Sequence, residues 1–202
     1  LAANQKIGVA HHPEQPVESV AFQNGCFEVR TAKQRFSAQQ VVLACGLGIK
    51  ALAWQVGLEI PIRPQRGQIL VTERTHPLLE HPFVTIRQTQ EGSFMFGASR
   101  EEVDFDTGTT LEVMRRLARH ALQVFPELAA LQLVRCWGAL RILTPDAKPV
   151  YVESESCPGA FVVTSHSGIT LAPLHARRLS QWIVEGVAPD GFEQFHSRRF
   201  DA

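Results

Sequence analysis

The chain has 202 residues, of which 45% are hydrophobic, and its 20 basic and 20 acidic side chains give a formal net charge of zero. This composition predicts one compact globular domain or two small ones. A neutral chain lacks the positive field that attracts nucleic acid or an anionic membrane surface, so we expect neither as a partner. The longest apolar runs are far shorter than the ~20 residues that cross a bilayer, so we expect no transmembrane segment.

The cysteines are Cys26, Cys45, Cys136 and Cys157. They form no C-x-x-C pair, so we expect free thiols in a reducing, cytoplasmic location rather than disulfides. We also expect no metal site. His76, Glu80 and His81 superficially resemble the zinc-peptidase pattern, but their intervals are wrong, and Pro77 and Pro82 oppose the helix that this pattern needs.

A β-hairpin is the first element that the sequence predicts. Residues 17–22 and 26–31 alternate between apolar and polar side chains around Asn24-Gly25, the dipeptide that best suits a type I′ turn. Residues 41–44 are continuously apolar and run into the glycine turn Cys45-Gly-Leu-Gly. This pattern predicts a strand that is buried on both faces.

The rest of the chain mixes strands with helices, which indicates an α/β or α+β fold. The further predicted strands are 67–72, a hairpin of 83–87 with 93–97, 134–140, 150–152 and 161–164. The predicted helices are 49–56, a helix from a capping box at Thr109 and Glu112 to Pro126, and 168–185 with Gly186 ending it.

Two places carry side chains suited to chemistry. Residues 165–170 lie between an apolar strand and a helix, where backbone N–H groups and the helix dipole favour an anionic ligand atom; simple helix capping and a structural His166 are the alternatives. Arg141 ends an apolar strand, and its planar guanidinium matches a carboxylate. That carboxylate belongs either to an internal Asp or Glu or to a substrate.

Three segments in this order resemble the C-terminal portion of the FAD-dependent D-amino acid oxidase superfamily. They are VVLACG at 41–46 with PIRPQRGQILV at 61–71, RCWGALRILTPD at 135–146, and GAFVVTSHSGITLAP at 159–173. The pattern is similar to glycine and sarcosine oxidases, and its motifs look most like those of the flavin subunits of hydroxyproline and opine dehydrogenases.

The resemblance implies two domains. Residues 1–57 and 150–202 would form part of a Rossmann-like FAD-binding domain, and residues 58–149 would form a substrate domain built on a mixed antiparallel sheet with flanking helices. The implied activity is oxidation of an amino acid, imino acid or opine by hydride transfer from the Cα–H, or from the carbon of the C–N bond, to flavin N5. A small amino-acid-like substrate, other flavoenzyme subunits or an electron acceptor are the implied partners.

The resemblance also implies roles for individual residues. Arg141 would grip the substrate carboxylate, and His166 would act in the catalytic site. The implied FAD-binding residues are Val17, Cys45, Gly46, His166, Ser167, Gly168, Ile169 and Thr170. Thr85, Arg87 and Ser99 are polar candidates for shaping the pocket, and a solvated strand residue is the equal alternative for each. Phe83 stands where glycine oxidase has a tyrosine, and Asp146-Ala147 stands where Asp-Gly is common in the family, so the substrate class is left open.

The sequence contains no Gly-x-Gly-x-x-Gly, the fingerprint that cradles the FAD pyrophosphate. This absence predicts that the chain is a C-terminal fragment of a larger flavoprotein. The alternative is a non-catalytic α/β module that serves for binding or for subunit contact.

Overall fold

The structure is a computed structural model that describes residues 2–201. Its strands are β1 (Val17–Gln23), β2 (Cys26–Thr31), β3 (Arg35–Ala38), β4 (Val41–Leu43), β5 (Arg63–Arg74), β6 (Ile86–Gln88), β7 (Ser93–Gly97), β8 (Leu133–Leu143), β9 (Val150–Glu153) and β10 (Ala160–Thr164). Its α-helices are α1 (Ala2–Lys6), α2 (Ile49–Gln55), α3 (Leu111–Val124), α4 (Ala172–Leu174) and α5 (Ser180–Glu185). The predicted mixture of strands and helices is confirmed.

The chain divides into two compact units. The described residues of Leu1–Ile62 and Thr144–Ala202 form the first unit, and Arg63–Leu143 form the second. The sequence predicted boundaries at 57/58 and 149/150; by contact, the segments 58–62 and 144–149 lie in the first unit.

The first unit contains two three-stranded sheets, β1-β2-β3 and β4-β10-β9. Asn24 (φ 52°) and Gly25 (φ 75°) adopt the left-handed backbone that a type I′ turn requires, so the predicted hairpin is confirmed. β4 pairs in parallel with β10. The prediction that β4 is buried on both faces is wrong for the described residues, because Val42 is 42% exposed.

The last helix starts later than predicted and is irregular. Residues 168–171 form turns, α4 begins at Ala172, and a π-helical turn over His175–Leu179 leads into α5. Pro173 explains the start, because a residue without an N–H group is best placed in the first turn of a helix. Gly186 (φ 73°) ends α5 as predicted.

The second unit is an antiparallel sheet with strand order β6-β7-β5-β8, covered on one face by α3. The buried cluster between α3 and the sheet is Leu70, Ile86, Phe94, Phe96, Ala121 and Leu128. All sheet members of this cluster are even-numbered, and the register pairs odd with odd residues except at the irregular pairs Thr72–Leu133 and Arg74–Ser93. Because side chains alternate between faces, the odd-numbered residues of the regular part, Arg141 and Gly67 among them, lie on the face that α3 does not cover.

The capping box predicted for α3 is wrong. The N-cap is Thr110, not Thr109, and its side chain makes no capping hydrogen bond. Instead, the N–H of Thr110 donates to the Gln68 side-chain oxygen at 3.0 Å, and Gln68 Nε2 donates to Thr110 Oγ1 at 3.3 Å. A strand residue therefore accepts a hydrogen bond from one of the backbone N–H groups at this helix start, which a local pattern cannot reveal.

Two strands of this sheet differ in extent from the prediction. β5 begins at Arg63 and includes Pro64, so the sheet is longer here than 67–72. β6 begins at Ile86, and Val84 is fully exposed. All four cysteines are free thiols. No helix within residues 2–201 combines the length and the apolar character needed to cross a membrane.

Candidate functional site

Arg141 lies on the face of the second unit's sheet that α3 leaves uncovered. It pairs with Gln65 across β8 and β5, and its side chain reaches over β5 to the segment after β7. There Nη1 donates to the Ser99 carbonyl oxygen at 3.0 Å. The guanidinium lies directly over Gly67, where an added Cβ would be 2.1 Å from Arg141 Nη2. Glycine is therefore the residue that leaves room for this side chain.

The Arg141 guanidinium has no carboxylate within 4 Å among residues 2–201, so the internal Asp or Glu partner is not found there. Burial, and then the charge of Arg100, lower its pKa. An arginine nevertheless remains protonated in proteins. Arg141 is thus a partly buried cation whose fork has donors left for an external carboxylate.

On the opposite face of β5, by contrast, an arginine does have carboxylate partners. Arg66 is buried there and pairs with Glu101 at 2.7 Å and with Asp106. Burial alone would raise the pKa of Glu101, but hydrogen bonds from Arg66, Ser99 and Gln68 outweigh it and lower that pKa. Ser99 Oγ belongs to this buried network, so its side chain does not shape an open pocket as predicted.

Thr85 and Arg87 line a cavity of about 230 Å³ in the second unit, together with Phe83 and Met95. Arg87 Nη2 lies 3.1 Å from the Met95 sulfur. The cavity wall is otherwise mainly apolar.

In the first unit, the predicted turn 165–170 presents unused backbone donors. Within the described chain, the N–H groups of residues 166–170 have no hydrogen-bond acceptor, whereas those of Leu171 and Ala172 donate to Ser167 and Ile169. Ile169 is 95% exposed, and the His166 ring contacts Ser167 Oγ at 3.3 Å. Just before the turn, Thr164 Oγ1 is buried without a hydrogen-bond partner among residues 2–201.

This turn shares a sheet edge with Cys45 and Gly46. β4 and β10 are parallel neighbours, so the segments that follow their carboxyl ends leave the same edge, which is where open α/β sheets bind ligands. A row of free N–H groups at that edge suits the carbonyl-bearing rim of a flavin, so these residues fit the expected FAD. Val17 is not joined to them by any sheet: it opens β1 in the other sheet of the unit.

Gly46, Gly48 and Ala51 have the spacing of the alanine variant of the dinucleotide fingerprint, G-x-G-x-x-A, which differs from the all-glycine form at its last position. They follow β4 and enter α2, as the fingerprint requires. However, the next strand is β5, which is not in the β4 sheet, so the βαβ context is missing. The spacing therefore gives no support for a pyrophosphate cradle.

A cavity of about 420 Å³ adjoins the turn, and one of its lining residues, Tyr151, was not predicted from the sequence. Its walls include Ser165, His166 and Tyr151. Tyr151 Oη and His175 Nε2 are 2.8 Å apart. Burial raises the pKa of Tyr151 and lowers the pKa of His175, so both are neutral near pH 7. Tyr151 thus contributes to the cavity wall, and His175 holds its hydroxyl from behind without adding charge. An isolated tyrosine in an apolar strand was the only signal in the sequence.

The chain is similar to known proteins over most of its length. The family described as "FAD dependent oxidoreductase" matches residues 1–182. The chain is 39% identical over 201 residues to a subunit of the opine oxidase of Agrobacterium tumefaciens (strain Ach5), covering 100% of this chain and 54% of that protein. It is 31% identical over 172 residues to hydrogen cyanide synthase subunit HcnC of Pseudomonas protegens, covering 82% of this chain and 41% of that protein.

Solved structures have the same fold. L-proline dehydrogenase from P. horikoshii superposes with a TM-score of 0.91 at 21% identity, covering 99% of this chain and 57% of that one. Glycine oxidase from Geobacillus kaustophilus gives 0.89 at 22% identity, covering 98% and 55%. The chain spans about half the length of the relatives that it matches.

Proposed function

Because the chain belongs to the FAD-dependent oxidoreductase family, we propose that it is part of an enzyme that oxidises an amino acid, imino acid or opine with bound FAD. The observation that carries this proposal is Arg141, a partly buried arginine without a carboxylate partner in the described chain. The names of two relatives, opine oxidase and glycine oxidase, support the same class of reaction.

Arg141 binds the substrate carboxylate and so fixes the orientation of the reacting carbon. The Ser99 carbonyl holds one guanidinium nitrogen, and the absence of a side chain at Gly67 lets the group lie close to the sheet. A pre-oriented guanidinium loses less entropy when the substrate binds than a free one does. The chemistry that FAD supplies when bound is acceptance of a hydride at N5, which leaves the substrate as an imine.

The turn at His166–Thr170 holds the cofactor edge through its free backbone N–H groups, which favour negative charge there. Cys45 and Gly46 would hold the dinucleotide from the same sheet edge, and Val17 would contact adenine through its main chain. His166 stands at the start of the turn, exposed and within reach of a bound ligand.

In this proposal the first unit binds the cofactor and the second unit binds the substrate. The protein acts in the cytoplasm with further subunits. Two relatives, named as subunits of an opine oxidase and of a hydrogen cyanide synthase, support a multi-subunit assembly.

The test uses the whole protein, purified with its natural subunits. We expect bound flavin absorbance near ~450 nm and oxidation of amino-acid-like substrates. Arg141→Ala removes a desolvated charge contact that is worth about 2–5 kcal/mol. It should therefore lower kcat/KM roughly 30- to 4,000-fold, mostly through KM.

Arg135→Ala is the matched control, because Arg135 lies on the same strand and is exposed over the Trp137 ring. It should leave kcat/KM within about threefold of the wild type. A preparation without flavin and without turnover would favour the non-catalytic module instead, and an unchanged KM in Arg141→Ala would refute the carboxylate contact.

A further inference from the structure

Arg100 follows Ser99, whose carbonyl accepts a hydrogen bond from Arg141 Nη1, and it belongs to the same uncovered face of the sheet. The segment after β7 runs antiparallel to β5, with Glu101 N–H donating to the Arg66 carbonyl at 3.0 Å and Arg66 N–H donating to the Glu101 carbonyl at 2.9 Å. The side chains of Ser99 and Glu101 enter the buried network on the α3 side. Because side chains alternate along an extended segment, Arg100 is directed to the opposite face, where Arg141 lies.

The acidic side chains near this pair are already engaged. Glu101 and Asp106 pair with Arg66 on the buried face. Glu102 pairs with Arg63 and accepts a hydrogen bond from Gln65 Nε2 at 2.7 Å.

Within residues 2–201, neither Arg100 nor Arg141 has a carboxylate within 4 Å. Arg141 Nη1 binds the carbonyl of Ser99, the residue just before Arg100, and burial followed by the charge of Arg100 lowers the pKa of Arg141. Two neighbouring like charges without a counterion disfavour each other, and a ligand that neutralises both relieves this repulsion. A single carboxylate held by Arg141 would leave Arg100 without a partner.

We propose that Arg100 and Arg141 together bind a dianionic substrate, an amine with two carboxylates of which each guanidinium takes one. This inference rests on the proposed function and deepens it, since it selects dicarboxylic secondary amines or acidic amino acids over simple neutral amino acids. Arg100 is then a specificity-determining residue. Its exposed position lets it meet the part of the substrate that is farther from the carboxylate held by Arg141.

The test compares two substrates that differ by one carboxylate, N-(1-carboxyethyl)alanine and N-ethylalanine. The whole enzyme should have the higher kcat/KM for the dicarboxylate. Arg100→Gln should lower kcat/KM for the dicarboxylate roughly 10- to 150-fold, the range for one charge-assisted hydrogen bond. For N-ethylalanine the same change should alter kcat/KM less than about threefold. Arg116→Gln, an exposed change on α3, is the matched control and should not discriminate between the two compounds.

The outcomes separate this inference from the proposed function. If Arg141→Ala impairs both substrates but Arg100→Gln affects them equally or not at all, the dianion inference is overturned and the proposed function stands. If Arg141→Ala impairs neither, the proposed function itself fails. If neither compound is turned over, calorimetric dissociation constants of both with the wild type and Arg100→Gln replace kcat/KM, and equal ratios overturn the inference.

Discussion

Replacing Gly67 by alanine should displace Arg141 from its substrate contact while the fold stays intact. The new Cβ would lie 2.1 Å from Nη2, 2.5 Å from Cζ and 2.7 Å from Nη1 of Arg141. These atoms are the end of a flexible side chain, so the guanidinium must move while the backbone stays. It must retreat from 2.1 Å to about 3.5 Å, a displacement of about 1.4 Å.

The displacement breaks the hydrogen bond from Nη1 to the Ser99 carbonyl, and with it the orientation of the fork. A misplacement of about 1 Å in a positioning group costs roughly 100-fold in rate. We therefore expect kcat/KM of Gly67→Ala to fall about 10- to 100-fold. Stability should change by less than about 1 kcal/mol, because the smaller loss of backbone entropy for alanine offsets the lost hydrogen bond to the Ser99 carbonyl.

Gly138→Ala is the matched control, because Gly138 is also a strand glycine of this sheet. Its Cβ would lie 2.6 Å from the Gly108 carbonyl oxygen and 2.7 Å from that of Thr107, which are backbone atoms that cannot swing away. We expect this variant to lose about 1–3 kcal/mol in urea-induced unfolding, as overpacking does.

The assays are steady-state kinetics of the whole enzyme and urea unfolding of both variants. In an Arg141→Ala background, Gly67→Ala should lower kcat/KM no further, because both changes remove the same contact. Wild-type kinetics for Gly67→Ala, or a loss of stability equal to that of Gly138→Ala, would refute the reasoning.

Two further predictions concern the first unit. Ala147 has φ 58°, so Ala147→Gly should relieve left-handed strain and raise stability by up to about 1 kcal/mol in thermal unfolding; Ala51→Gly within α2 should lower it by about the same amount, and a loss in both variants would contradict the strain. The pKa of Asp146 is about 2, below the usual 3.8, chiefly because of the hydrogen bond from Arg199. The ionised Asp146 therefore stabilises the fold fully above about pH 4, and this contribution is lost as the pH falls towards 2. Asp146→Asn should cost about 1–2 kcal/mol in urea unfolding at pH 7, allowing for solvent screening, with a difference that shrinks below pH 4. The exposed Asp190→Asn should show no such pH-dependent difference, and a constant loss in Asp146→Asn would exclude the ion pair as its cause.

Local rules in the sequence were sufficient where neighbours in the chain determine the structure. Asn24-Gly25 predicted its hairpin correctly because both residues accept a left-handed backbone. Gly186 likewise predicted the end of the last helix. The start of α3 was placed one residue early because its cap comes from Gln68, 42 positions away in the chain.

The candidate site could not be predicted fully from the sequence, because its contacts join residues that are far apart in the chain. The sequence suggested Arg141, but whether its partner is an internal acid depends on which side chains surround it, and the nearby acids are taken by Arg63 and Arg66. Gly67 did carry a signal, since a lone glycine within a strand indicates close approach of another group. Arg100 carried none, because its position next to Arg141 arises from the pairing of the segment after β7 with β5.

The alternation along β5 has a consequence for how such a protein can diversify. Gln68 and Arg66 anchor α3 and the buried network on one face, while Gly67 between them accommodates Arg141 on the other. Substitutions on the uncovered face, such as at Arg100, therefore leave the supports of the helix untouched. Descendants of one scaffold can acquire new substrate preferences through these positions without first having to regain a stable sheet.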